Sequence, residues 1–219
     1  MENKLTLNEI GIEFNSDKSS KWHDYLELYD KHFNIYRDKK INILEIGILF
    51  GDSLNIFYKY FENAMIYGLD IEDKSHLNNE RITTIHGNQS DEILLSKFED
   101  DSFSIILDDG SHKMFHQQIS FGFLFKKLKS GGIYVIEDLH TSFDEYSENI
   151  SHGNSLFGIE DGNRTMDFLK GIQEGNYINK YLPEEQYKYL LENIESIEIV
   201  ETSRKDNNTF SITSIIRKK

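Results

Sequence analysis

Short apolar runs alternate with amphipathic segments over the first two thirds of the chain. The runs predict buried strands at residues 41–48, 64–71, 81–86, 103–107 and 133–136. Between and before them, apolar residues recur at helical spacing. That spacing predicts helices at residues 17–33, 53–61, 91–98 and 112–128. Strands that alternate with helices in this way are typical of parallel βαβ units with helices on both faces of the sheet.

The last third of the chain has a different pattern. Residues 143–180 are polar, with one predicted helix near 165–173, and a second predicted helix covers 184–193. Two alternating segments, 194–202 and 210–216, flank a polar turn and predict a β-hairpin. We therefore expect an α/β fold with a mostly parallel seven-stranded sheet that ends in a C-terminal antiparallel hairpin.

Composition narrows the classes of function. A length of 219 residues suits one α/β domain. The 38 acidic residues exceed the 24 basic ones and give a formal charge of −14, which argues against binding nucleic acid or an anionic membrane surface. The chain has no cysteine, which excludes disulfides, thiolate metal sites and cysteine nucleophiles. It has neither a long apolar run nor a signal-peptide pattern, so we expect a cytoplasmic protein.

A glycine-containing loop follows the first predicted strand. Its sequence, LEIGILFGDS, places Gly47 and Gly51 four residues apart and lacks the G-x-G-x-x-G pattern that cradles a pyrophosphate. Glu45 lies two residues before the first glycine, where a carboxylate suits a cationic or amine-bearing ligand. Ser53 is a candidate cap of the helix that follows.

The next two strand ends also carry candidate ligand contacts. Asp70 and Ile71 end the second predicted strand, where a carboxylate can accept hydrogen bonds from ribose hydroxyls. Asn88 and Gln89 follow the third strand, and amides there could contact an adenine edge. As alternatives, the glycines could be turn residues, Asp70 a helix cap and the third loop an Asx turn. The combination favours a nucleoside ligand at the carboxyl ends of the strands.

Three carboxylates follow two strands that we expect to be neighbours in the sheet. Asp109 comes after the fourth strand, and Glu137 and Asp138 come after the fifth. Strands about 4.8 Å apart would place the three side chains in one small space, where they would raise one another's pKa values. A divalent cation relieves that repulsion, and oxygen ligands favour Mg²⁺, with Mn²⁺ or Ca²⁺ as alternatives. His112 could accept a proton at neutral pH, although each residue alone could equally be a cap, a turn residue or a structural histidine.

On these motifs the chain resembles the class I S-adenosylmethionine-dependent methyltransferases. More narrowly, it is similar to the metal-dependent macrolide-sugar O-methyltransferases and their small bacterial sugar-methylating relatives. The narrow resemblance is carried by NSDK near the N-terminus, LEIGILFGDS, LDDGSH and IYVIEDLHTS, over about residues 11–143. The parallel sheet with a terminal antiparallel hairpin also fits this family better than the nicotinamide dehydrogenases.

The resemblance implies a Rossmann-like methyltransferase fold as a single domain over residues 1–219. It implies a helical cap at 1–38, a substrate-side insertion or lid at 143–182 and a homo-oligomer. In the family, the residues matching Asp109, Glu137 and Asp138 bind Mg²⁺, and the histidine matching His112 is the proposed general base. The positions expected around S-adenosylmethionine are Lys18, Glu45, Gly47, Gly51, Ser53, Asp70, Ile71, Asn88, Gln89 and Asp108.

The expected reaction is Mg²⁺-assisted O-methylation of a sugar hydroxyl in a bacterial cell. The acceptor would be a nucleotide-linked sugar, or a precursor of a surface polysaccharide, such as a capsule, or of a natural product. Three alternatives stay open on the sequence alone. They are a nicotinamide-dependent sugar-nucleotide oxidoreductase, a metal-dependent hydroxylase or hydrolase on the same scaffold, and a binding subunit without catalysis.

Overall fold

The computed structural model describes residues 4–143, 163–203 and 210–219, and within these ranges the chain forms one seven-stranded sheet. The strands are β1 (Asn42–Ile46), β2 (Met65–Asp70), β3 (Ile82–His86), β4 (Phe103–Asp108), β5 (Leu128–Ile136), β6 (Ile194–Ser203) and β7 (Phe210–Lys218). Their order is β3-β2-β1-β4-β5-β7-β6, and β7 runs in the direction opposite to the other six strands. This arrangement confirms the predicted parallel sheet with a C-terminal antiparallel hairpin.

Helices cover both faces of the sheet. They are α1 (Leu7–Glu13), α2 (Tyr25–Phe33), α3 (Asp52–Tyr60), α4 (Glu92–Ser96), α5 (Met114–Leu124), α6 (Thr165–Glu174) and α7 (Glu184–Asn193). Helices α1 to α3 pack in one hydrophobic cluster and α4 to α7 in the other. Successive residues of the central strands enter opposite clusters, as Ile105 and Ile106 do, because side chains alternate across a strand. None of the helices in the described part of the chain is both long and apolar enough to cross a membrane.

The prediction of a helix from residue 17 was wrong for the first part of that segment. Helix α2 begins only at Tyr25, after Asp24, whose φ of 60° is left-handed. In the turns before it, the Ser19 hydroxyl donates to the backbone carbonyl of Ser16 at 2.7 Å. Serine and aspartate side chains compete for backbone groups in this way and so favour turns over helix. The amphipathic spacing of 17–33 therefore covers the turns before Tyr25 as well as the helix itself.

Two further boundaries differ from the sequence expectation. Helix α5 begins at Met114 rather than at His112, because His112 has a left-handed φ of 57°. It ends at Leu124, and β5 begins at Leu128 and continues through the two glycines that were expected to interrupt the chain. The pairing of β4 with β5 shifts register there, so the glycines lie in an irregular stretch of strand. The predicted insertion at 143–182 lies partly outside the described residues, since 144–162 are not among them.

Candidate cofactor and metal site

A cleft of about 500 Å³ opens where the strands β1 to β4 end, with the first residues after β5 at its edge. Open α/β sheets bind ligands at this edge. The predicted site residues that line it are Lys18, Gly47, Ser53, Asp70, Ile71, Asn88, Gln89, Asp109, His112 and Asp138. The other four predicted residues, Glu45, Gly51, Asp108 and Glu137, do not line the cleft. Glu45, Asp108 and Glu137 are buried beside it.

The loop after β1 packs tightly against the loop after β4. Gly47 has a φ of 83°, and a side chain there would overlap the backbone carbonyl of Asp109. Gly51 also has a positive φ and precedes α3. Asp70 ties this loop to the end of β2, because its Oδ2 accepts the backbone N–H groups of Ile48 at 2.7 Å and Leu49 at 3.3 Å. Gly47 and Asp70 therefore shape the floor of the cleft.

Glu45 is a fully buried carboxylate behind the glycine loop. Its relative exposure is 0%, and no described group donates a hydrogen bond to either carboxylate oxygen in good geometry. Burial raises its pKa to about 8, although the nearby Lys18 ammonium and the Ser53 hydroxyl, which lies close but is poorly aligned, act in the opposite direction. A buried acceptor without a donor is uncommon in proteins and points to a missing partner. A cationic ligand in the adjoining cleft would be such a partner.

Asp108 and Gln89 hold the loop that follows β4. Buried Asp108 accepts hydrogen bonds from the Ser120 hydroxyl and, at 3.0 Å, from the Gln89 amide nitrogen. The Gln89 carbonyl oxygen in turn accepts the backbone N–H of Ser111 at 2.8 Å. Burial raises the pKa of Asp108 to about 6. Asn88 accepts the N–H of Ser90 at 2.9 Å, which is the Asx turn that the sequence left open.

Two of the predicted metal ligands and the predicted general base meet at the edge of the cleft. Ligand atoms of Asp109, His112 and Asp138 lie within 4.8 Å of one another. The His112 Nε2 lies 3.6 Å from Asp138 Oδ2 and 4.0 Å from Asp109 Oδ1. His112 and Asp138 both have left-handed backbones, with φ of 57° and 55°. Such strained conformations in non-glycine residues cluster at functional sites.

The third predicted metal ligand, Glu137, has protein partners on both oxygens. Its Oε2 accepts the Lys18 ammonium at 2.6 Å, and its Oε1 accepts the Tyr29 hydroxyl at 2.8 Å. The same ammonium also donates to Asp109 Oδ2. Burial lowers the pKa of Lys18, but the surrounding carboxylates outweigh that effect and hold it well above its ordinary value. The structure thus brings the three carboxylates together and places Lys18 among them.

Helix α2 and the start of α5 supply contacts that the sequence reasoning did not assign. The Tyr25 hydroxyl donates to Asp138 Oδ1 at 2.7 Å, and Tyr29 reaches Glu137 from one turn further along the same helix face. His116 lines the cleft and its Nδ1 lies 2.8 Å from the Ser111 hydroxyl. The spacing of Tyr25 and Tyr29 could have indicated their shared role, because residues four apart lie on the same face of a helix.

Comparisons with known proteins identify related sequences. No protein family model matches the chain. The demethylmacrocin O-methyltransferase of Streptomyces fradiae is 41% identical over 149 residues, which are 64% of this chain and 38% of that protein. The mycinamicin VI 2''-O-methyltransferase of Micromonospora griseorubida is 38% identical over 149 residues, 64% of this chain and 37% of that protein. The chain therefore spans less than half the length of these curated relatives.

A solved structure extends the similarity to almost the whole chain. The MycE methyltransferase of the mycinamycin biosynthetic pathway, in complex with Mg and SAH, matches with a TM-score of 0.76 and 29% identity. The match covers 99% of this chain and 55% of the other. The resemblance stated from the motifs is confirmed, as is the fold that it implied.

Proposed function

Because the chain is homologous to the macrolide-sugar O-methyltransferases, we propose that it transfers a methyl group from S-adenosylmethionine to a sugar hydroxyl with the help of Mg²⁺. The observation that carries the proposal is the convergence of Asp109, His112 and Asp138 at one edge of the cleft. The binding of Mg and SAH by the structural neighbour supports it.

Residues of the β1 and β2 loops would hold the methyl donor. Glu45 is a buried carboxylate whose oxygens accept no well-aligned hydrogen bond from the described residues, and it would accept the α-ammonium group of the methionyl part. Asp70 Oδ1 accepts only the N–H of Glu72, at 2.8 Å, among the described residues, so it keeps a lone pair for a ribose hydroxyl. The loop after β1 lacks the phosphate-binding glycine pattern, which argues against a nicotinamide dinucleotide in this cleft.

The donor set at the cleft edge fits a hard divalent cation. Asp109 Oδ1 and Asp138 Oδ2 accept no hydrogen bond within the described part of the chain, and both face the His112 ring. Carboxylate oxygens with room for water are the ligands that Mg²⁺ prefers. The chemistry that such a cation supplies is orientation of two vicinal hydroxyls and a lower pKa for the one that reacts.

His112 would accept the proton of the reacting hydroxyl at its Nε2. Asp138, whose Oδ2 lies 3.6 Å from that nitrogen, would fix the position of the ring. The new bond joins the sugar oxygen to the methyl carbon, and the bond between that carbon and the sulfonium sulfur breaks. The products are the methyl ether, S-adenosylhomocysteine and one proton held by His112. The residues of the cleft would also keep the two reactants aligned and exclude water.

A panel of glycosides and nucleotide-activated sugars, incubated with S-adenosylmethionine and Mg²⁺ and analysed by mass spectrometry, tests the proposal. We expect a product heavier by one methylene that disappears when EDTA is added. His112→Ala should abolish the product without weakening S-adenosylhomocysteine binding, whereas His76→Ala, at an exposed position, should leave turnover unchanged. Full activity in EDTA, or full activity of His112→Ala, would contradict the mechanism.

The panel also decides the acceptor class, which we propose to be a nucleotide-linked sugar or a precursor of a surface polysaccharide or a natural product. The relatives reported above are named as O-methyltransferases of demethylmacrocin and mycinamicin VI, which places natural-product glycosides first in the panel. A homo-oligomer is part of the proposal, and light scattering of the purified protein tests it. Location in the cytoplasm, the absence of a nucleic-acid partner and the single-domain organisation stay predictions of the sequence.

A further inference from the structure

A buried lysine lies between Asp109 and Glu137, two of the three carboxylates that the sequence predicts as metal ligands. The Lys18 ammonium donates to Glu137 Oε2 at 2.6 Å and also to Asp109 Oδ2. Its side chain is only 6% exposed. Lys18 is separated from these partners by 91 and 119 residues of sequence, so the fold brings it there. The lysine supplies one positive charge where a divalent cation would supply two.

The oxygens of Glu137 show why the lysine and a metal ion would compete. One oxygen accepts the Lys18 ammonium and the other accepts the Tyr29 hydroxyl at 2.8 Å, and the side chain is 2% exposed. A cation bridging Asp109 and Glu137 would need the lone pairs that Lys18 occupies. Two cations this close also repel each other, and in a buried site little solvent screens them.

We propose that Lys18 is an internal competitor of the divalent cation, which must displace the ammonium before Asp109 and Glu137 can both bind it. This inference rests on the proposed metal site and adds to it a residue of this chain that sets the metal affinity. In the metal-free protein, Lys18 keeps the two carboxylates close without their repulsion. The carboxylates are thereby held near their final positions before any metal arrives.

The segment that carries Lys18 is tied to its neighbours by backbone hydrogen bonds, such as the one from Leu26 N–H to Lys18 O at 3.0 Å, so the ammonium would be displaced by a rotation of the side chain. The segment lies between α1 and α2, and the residues at its two ends, Asn15 and Asp24, have left-handed φ values of 53° and 60°. Ser16 and Asp17 of the same segment line the cleft. A displaced Lys18 ammonium would therefore enter the cleft and meet solvent. Metal binding should therefore make the Lys18 amine more reactive toward reagents in solution.

Calorimetric titration of the full chain with MgCl₂ and MnCl₂, without donor or acceptor, measures the competition. Lys18→Gln and Lys18→Met should each bind the metal about tenfold more tightly than the unmodified protein, because a like charge is removed from beside the ligands. Lys21→Gln, at an exposed position on the same segment, should leave the affinity unchanged. An affinity that is unchanged or weaker in both Lys18 variants would overturn the inference, with circular dichroism checking that they fold.

Amine labelling of the unmodified protein provides a test that needs no variant. Labelling of Lys18 by an N-hydroxysuccinimide ester, measured by peptide mass spectrometry, should rise when Mg²⁺ is added, while labelling of Lys21 stays constant. If calorimetry shows bound metal and Lys18 stays protected, the competition is wrong and the metal site stands. If neither the unmodified protein nor the Lys18 variants bind metal, the metal role in the proposed function fails as well.

Discussion

Replacement of Gly47 by alanine tests how tightly the donor loop is packed against the loop that carries Asp109. Gly47 has a φ of 83°, and a Cβ there would overlap the carbonyl oxygen and carbon of Asp109. These are backbone atoms, so they cannot move aside as a flexible side chain can. Relief requires a shift of the Asp109 loop, of the β1 loop or of both.

Two contributions to the free energy of unfolding can be separated by a matched glycine. Gly131 has a φ of 72°, and apart from its chain neighbours no atom of the described residues lies within 4 Å of the place that a Cβ would take there, so Gly131→Ala measures the left-handed backbone alone. That strain is about 1 kcal/mol for a residue with a side chain. Gly47→Ala adds steric overlap of about 1–3 kcal/mol, which gives a total loss of about 2–4 kcal/mol.

Urea denaturation followed by circular dichroism measures both losses, and calorimetry with Mg²⁺ measures the effect on the metal site. We expect Gly47→Ala to lose more stability than Gly131→Ala and also to bind the metal more weakly, because Asp109 is displaced. Equal losses in the two variants would refute the reasoning, since they would show that the overlap with Asp109 is relieved without cost. A stability loss with unchanged metal affinity would show that the β1 loop moves instead.

Two further substitutions test buried groups of the site. Folding raises the pKa of Glu45 from 4.5 to about 8, so the folded state loses stability as the pH rises between these values. Glu45→Gln removes this titration. Its free energy of unfolding should therefore be higher than that of the unmodified protein at pH 8 and should change less with pH. Urea denaturation at pH 5 and pH 8 measures this, and equal pH dependence of the two proteins would contradict it; the same variant should bind S-adenosylhomocysteine more weakly. Tyr29→Phe removes a 2.8 Å hydrogen bond to buried Glu137 and should cost about 2 kcal/mol, whereas Tyr177→Phe, which loses only an exposed bond, should cost almost nothing. Equal unfolding free energies for the two tyrosine variants would argue against a strong buried hydrogen bond.

The sheet and its strand ends could be predicted because they depend on short-range pattern. Each central strand is an apolar run bounded by polar residues, and the chemistry-bearing residues follow it directly in sequence. The proximity of Asp109 to Glu137 and Asp138 then follows from the pairing of β4 with β5, in which Asp108 lies opposite Ile136. Neighbouring parallel strands place their last residues side by side whatever the rest of the chain does.

The partners of those residues could not be predicted, because they come from distant parts of the chain. Nothing in the local sequence of Lys18 indicates that its ammonium lies between Asp109 and Glu137. The helical spacing around it even predicted the wrong backbone, since it gave no weight to the left-handed Asp24. Likewise Gln89, a predicted cofactor contact that lines the cleft, also holds the Asp108–Ser111 loop with both ends of its amide. Side-chain contacts over long sequence separations need the fold before they can be assigned.

The two hydroxyl contacts from α2 limit how this part of the molecule can change. Tyr25 and Tyr29 each hold one carboxylate of the pair that follows β5, so the amino-terminal helix is a structural component of the acidic cluster. Variation that repositions this helix would also reposition those acids.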